Sequence, residues 1–232
     1  MTDAASPGST SNDDLVAAAE RPLRADAERN RRKIIEAARE LFAERGLTTL
    51  DEVAERAGVG VGTVYRRFPS RDDLIDALYV EAMEQLVAIG SAAVELSETD
   101  PWGAIEYFLT NYLEMHAGDR SLSSVVLTDA HGRGRLEIGK SKMAPMGATV
   151  VARAKAAGVV RDDFAPTELP MSVIMLVSVM NATRDVAPGI WRRYLAYLLD
   201  SFRPEAARGP LPHAPLEFDQ VPLAMRAAFS GR

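Results

Sequence analysis

Cysteine is absent from the 232 residues, which excludes disulfide frameworks, thiol nucleophiles and Cys-ligated metals. Histidine is scarce, and His116, His131 and His213 lie too far apart in sequence to offer metal-ligand spacing. No Gly-x-Ser-x-Gly elbow, phosphate loop or dinucleotide fingerprint occurs. The glycine-rich run GVGVGTVYRR, residues 58–67, lacks both the preceding strand and the lysine of a phosphate loop. No catalytic residue, cofactor or metal is therefore assigned, and the chain reads as a non-enzyme. The start, MTDAASPGST, lacks the basic and apolar regions of a signal peptide. The longest apolar run, Val173 to Met180 interrupted by Ser178, is too short to span a bilayer, so a cytoplasmic protein without a membrane partner is expected.

What is present is charge, unevenly placed. The net charge is −6. Residues 1–20 carry four acids and no base, whereas residues 21–71 hold twelve Arg or Lys against eight Asp or Glu. A basic head on an acidic body orients itself toward a polyanion and keeps the body away from it.

Within the basic stretch, Leu47 to Phe68 (LTTLDEVAERAGVGVGTVYRRF) reads as two short helices joined by a tight turn. Thr49 and Glu52 have capping-box spacing, Gly58 supplies a left-handed stop, and Pro69 ends the second helix. Val64 and Phe68, four residues apart, form the buried stripe of that second helix. Val61, Gly62, Thr63, Tyr65, Arg66 and Arg67 are left outward, a set of hydroxyl, phenol and guanidinium groups suited to phosphates and base edges. Seven or eight helical residues span roughly 10–12 Å, about the width of a B-DNA major groove. This is a helix-turn-helix with a reading helix. Arg31 and Arg32, with Thr49, complete the expected DNA contacts, the two arginines from a basic lead-in to the first helix.

AGVGVGTVYRRFPSRDDLI resembles the signature of TetR-type transcriptional regulators, and the likeness runs from about Arg31 to Leu78. RPLRADAERNRRKI and ATRDVAPGIWRRYLAYLLDSF resemble a subgroup common in actinobacteria. Gly60 stands where the family usually has a Ser cap, and glycine is only a slightly weaker one.

The remaining pattern is helical throughout, so the fold class is all-α. Residues 1–20 read as a disordered tail, 21–70 as the helix-turn-helix domain, 71–203 as a helical body for effector binding and dimerisation, and 204–232 as a C-terminal tail. The first helix is expected over about Asn30 to Arg45, ending at Gly46. A long connecting helix opens at Ser70 and continues to about Leu96, the natural lever between body and head. Others follow over about Pro101–Ala117, Ser121–Ala130, Lys142–Ala157, Pro166–Arg184 and Pro188–Phe202, with residues 131–141 as a mobile loop.

The resemblance implies an effector enclosed by the body helices. Trp102, Phe108, Asn111, Tyr112, Met115, His116, Met143, Met146, Met175 and Arg184 are the candidate lining, the polar members because a polar group on an apolar helix needs a partner. The last two long helices are apolar on more faces than one chain covers, and the resemblance implies a four-helix dimer interface there. Met171, Ile174, Val177, Trp191, Tyr194, Leu195, Leu198 and Phe202 are its candidates. The reading is thus a homodimer binding a palindromic double-stranded DNA operator, a repressor released by an unknown small-molecule effector. The alternative is a helical small-molecule-binding protein or enzyme with a vestigial DNA head.

Overall fold

The computed structural model describes residues 12–45, 48–119 and 132–229, and among these nine α-helices and one 3₁₀ turn, with no strand. The head comprises α1 (Asn12–Arg45), α2 (Leu50–Ala57) and α3 (Val61–Arg67). The connecting helix is α4 (Arg71–Leu96). The body holds α5 (Pro101–Gly118), α6 (Gly132–Ala156), α7 (Glu168–Thr183) and α8 (Trp191–Phe202). A 3₁₀ turn at Pro204–Ala206 leads to α9 (Val221–Phe229), which packs on α7.

Two cores form. In the head, Ile34, Ala38, Leu41 and Phe42 of α1 meet Val53 and Ala54 of α2, Val64 of α3, and Leu74, Ile75 and Leu78 of α4. In the body, Ile105, Leu109 and Leu113 of α5 pack with Val150 and Val151 of α6, Val173, Leu176 and Val177 of α7, and Trp191 of α8. Helix α4 serves both. Its first half closes the head, and its second half, through Gly90 and Ala93, lies against the body. A methyl group added at Gly90 would sit 2.8 Å from Met146 Sδ and 3.0 Å from Met143 Cε, so this glycine lets α6 approach α4. Helix α4 is long and apolar enough to cross a membrane by length and composition alone, a feature that the count of unbroken apolar runs misses. Here Leu74, Ile75 and Leu78 are buried in the head core and Ala93 in the body core.

Several boundaries differ from those expected. Helix α1 starts at Asn12, so residues 12–20 are helical rather than disordered. Ala, Leu and Glu are strong helix formers. Residues 132–141 are likewise the first turns of α6 rather than a loop. Three glycines there cost about 1 kcal/mol each in helix propensity, but the segment runs directly into the packed turns around Val150. Pro145 sits inside α6. Helix α8 begins at Trp191, because residues 188–190 form turns. Residues 1–11, Gly46 and the helix expected over 121–130 lie outside the described residues.

Candidate nucleic-acid interface

The turn between α2 and α3 is built by short-range chemistry. Thr49 Oγ1 accepts the Glu52 amide at 3.3 Å, and the Thr49 amide donates back to Glu52 Oε2 at 2.8 Å. The Thr48 hydroxyl adds a third bond to the same carboxylate at 3.1 Å. Glu52 is held below the usual carboxylate range, first by the Thr49 amide and then by the two hydroxyls. Gly58 takes φ 64°, and its amide donates to the end of α2. Gly60 caps α3 with extended backbone and no side-chain bond.

Helix α3 then divides cleanly. Val64 is wholly buried and Phe68 nearly so. Val61, Gly62, Tyr65, Arg66 and Arg67 are exposed, with Thr63 half-buried. Neither Arg66 nor Arg67 forms an ion pair among the described residues. Two guanidinium groups are thus carried outward on one short rod pinned by Val64. Arg32 is also exposed, without an ion pair among the described residues.

Arg31 does not join them. Its Nη1 donates to Glu81 Oε1 of α4 at 2.9 Å, which turns it toward the connecting helix, because a carboxylate 50 positions later is in reach. Thr49 is exposed, but its hydroxyl is engaged in the capping box.

Arg71, the first residue of α4, escapes the sequence pattern altogether. Its Nε and Nη2 are buried without a hydrogen-bond partner among the described residues, and its guanidinium carbon lies 5.7 Å from the Phe42 ring centroid. It borders a cleft of about 470 Å³ lined also by Thr48, Thr49, Glu52, Tyr65 and Ser70. A cation at a helix N-terminus opposes the macrodipole, and unpaired buried donors cost more. The one sequence signal is a basic residue directly after the Ser70 cap, where acids are favoured.

Residues 34–78 match the family model described as bacterial regulatory proteins, tetR family. The chain is 32% identical over 111 residues to the HTH-type transcriptional regulator TtgR of Pseudomonas putida, a match covering 46% of this chain and 53% of that protein. It therefore spans about half the length of the curated relatives it matches. Among solved structures, a TetR transcription regulatory protein from Mycobacterium vanbaalenii is 27% identical with TM-score 0.51, covering 78% of this chain and 99% of that one. The TetR transcriptional regulator SCO0520 from Streptomyces coelicolor is 28% identical with TM-score 0.50, covering 75% and 98%.

Residues 34–78 thus form a tetR-family domain. The residues expected to line an effector pocket are not all together. Phe108, Tyr112 and His116, one turn apart on α5, form a ladder with ring centroids 6.2 and 6.5 Å apart. Burial, with Tyr79 of α4 adding to it, raises the Tyr112 phenol to about 12. Burial lowers His116 to about 4, Asp119 partly opposing it. Both rings are uncharged at neutral pH. Met115 is half-buried one residue before His116, and Met143 and Met146 close on Gly90. Asn111 spends its amide on the Tyr107 carbonyl of its own helix at 2.8 Å.

Three expected lining residues lie elsewhere. Trp102 is at the opposite end of α5, under the Arg203 guanidinium. Met175 is 47% exposed, and Arg184 is exposed with its Nη2 donating to Asn181. Met175 faces outward because α7 turns Val173, Leu176 and Val177 inward instead, and Arg184 lies just past the end of α7.

The expected dimer set is also split. Val177, Trp191, Leu195 and Phe202 are buried in the subunit's own core, so they are not the surface a second copy would meet. Met171, Ile174 and Leu198 are half-buried, and Tyr194 is exposed. Tyr197 and Met175, absent from the expected set, are exposed beside them in sequence.

Proposed function

We propose that this tetR-family chain is a homodimeric, operator-binding transcriptional regulator in the cytoplasm, a repressor released by a small-molecule effector. The reading is carried by the outward presentation of Thr63, Tyr65, Arg66 and Arg67 on a rod fixed by buried Val64 and Phe68. In a dimer, two such rods enter successive major grooves about 34–36 Å apart. The arginines read base edges, while the Tyr65 and Thr63 hydroxyls take phosphates. Arg71 adds a phosphate contact, since a phosphate oxygen in the cleft would satisfy donors that the protein leaves unpaired. The test is an electrophoretic shift with the DNA upstream of the protein's own gene. Binding that a competitor of scrambled sequence abolishes would refute it.

Arg71→Ala is expected to weaken specific and non-specific DNA alike and to reduce the salt slope of binding by about 1. Its melting temperature should hardly move, since two orphaned donors leave with the side chain. An unchanged salt slope would remove Arg71 from the interface.

The outward Met175 and Tyr194 support a dimer built on α7 and α8. Adding a charge there with Met175→Glu and Tyr194→Glu should give monomers in sedimentation at micromolar concentration, still helical. A dimer that persists would place the interface elsewhere.

The effector reading rests on the uncharged Tyr112–His116 ladder of α5 and on the methionines that close on Gly90 of α4. Release requires the effector to prefer the body conformation that misplaces the heads. A complete switch needs a differential affinity of about 5.5 kcal/mol.

A further inference from the structure

Arg39 of α1 is surrounded by three carboxylates from three elements. Its Nη2 donates to Glu81 Oε2 of α4 at 2.8 Å. Its Nε lies 3.4 Å from Oδ2 of Asp119, the residue that ends α5. Its Nη1 is 3.6 Å from Glu36 on its own helix. Glu81 is itself shared, taking Arg31 on one oxygen and Arg39 on the other. Arg31 and Arg39 are about 12 Å apart along α1 at the helical rise, so a single carboxylate of α4 clasps two turns of the head helix. All three members, Arg39, Glu81 and Asp119, are about three-quarters buried, where ion pairs are screened less than at the surface.

Helices α1 and α4 share the head core, whereas α1 and α5 make little contact. The Arg39–Asp119 pair therefore joins two elements that share little other contact. It is also the longer of the two interhelical branches, and Asp119 follows the Tyr112–His116 stack by less than one helical turn. A shift of the end of α5 reaches Arg39 directly, without passing along α4.

We infer that Arg39 is a positioning residue for the DNA head: shared between Glu81 and Asp119, it makes the angle of the head depend on α5 as well as on α4. This rests on the operator-binding reading above. Arg39 touches no nucleic acid in this role, so its loss leaves α3 intact and alters only where the head points. Arg31 still holds Glu81 when Arg39 is replaced, which keeps the head attached.

The test uses full-length protein and a DNA sequence that the wild type selects from a random pool, prepared with both half-sites and with one scrambled. Asp119→Asn and Arg39→Gln are each expected to lower two-site affinity about 5- to 20-fold, with single-site affinity unchanged. The double variant should be no worse than Arg39→Gln alone, because both act through one link. Asp119→Glu, which restores a carboxylate, should recover most of the loss. A two-site to one-site ratio that does not change in a DNA-binding Asp119→Asn protein overturns this inference alone. So do losses that simply add, or a fall in both affinities together with the melting temperature, which marks a merely structural role. A wild type that selects no DNA overturns the operator reading itself.

Discussion

Replacing Arg66 and Arg67 together by alanine is expected to weaken operator binding at least about 100-fold while leaving the fold untouched. A well-formed arginine–base contact discriminates by about 1–3 kcal/mol, and a phosphate contact contributes further through counterion release. Losing two guanidinium groups from one rod thus removes roughly 3 kcal/mol or more, equivalent to that factor. Stability should change by less than about 0.5 kcal/mol, because both side chains are exposed and neither holds an ion pair among the described residues. The two effects are read separately, by titration of operator DNA and by urea denaturation. The single variants should differ in kind from Arg71→Ala. Each arginine that reads a base should relax preference at its own operator position, whereas Arg71→Ala, removing a phosphate contact, should weaken every sequence alike. If the double variant bound its operator as the wild type does, α3 would not be the reading helix and the vestigial-head alternative would return.

The legibility of this head in the sequence follows from the range of its determinants. Thr49 with Glu52, Gly58, Ser70 with Asp73, and Pro69 act over four residues or fewer, so helix ends and the inward side of α3 can be read from neighbours alone. Burial of Val64 and exposure of Arg66 and Arg67 then follow from helical period. What the sequence hides is set by distant partners. Nothing near Arg31 announces that Glu81 will take it, or that Arg39 will sit between Glu81 and Asp119. Apolar periodicity says that α7 and α8 have two greasy faces without saying which meets its own chain. The pattern therefore grouped core Trp191 and Phe202 with exposed Tyr194. Residues 132–141 show the opposite error, in which glycines argue for a loop and the packed turns beyond them decide otherwise.

Acidification from pH 7 to about 4 should cost the wild type up to about 3 kcal/mol at His116 alone. The half-buried ring titrates at about 4 in the folded chain, against 6.5 when unfolded, because burial disfavours the imidazolium more than Asp119 favours it. The unfolded chain thus takes up a proton that the folded chain refuses. The stability associated with neutral His116 is complete above pH 6.5 and drains away as pH falls through 6.5 toward 4. Asp163, lowered to about 2 chiefly by Arg161, acts in a different window, since its contribution disappears only below the ordinary carboxylate range. The two are therefore separable on one titration. Urea midpoints for wild type and His116→Gln should diverge at pH 7, where the variant lacks the packed ring, and converge toward pH 4.5. The glutamine has no proton to refuse, so its stability should be nearly flat between pH 6.5 and 4.5. Parallel curves for the two proteins across that interval would mean that His116 titrates in the folded state as it does in water. The Tyr112–His116 ladder would then be a charged, wetted surface in mild acid rather than the uncharged wall that suits an apolar effector.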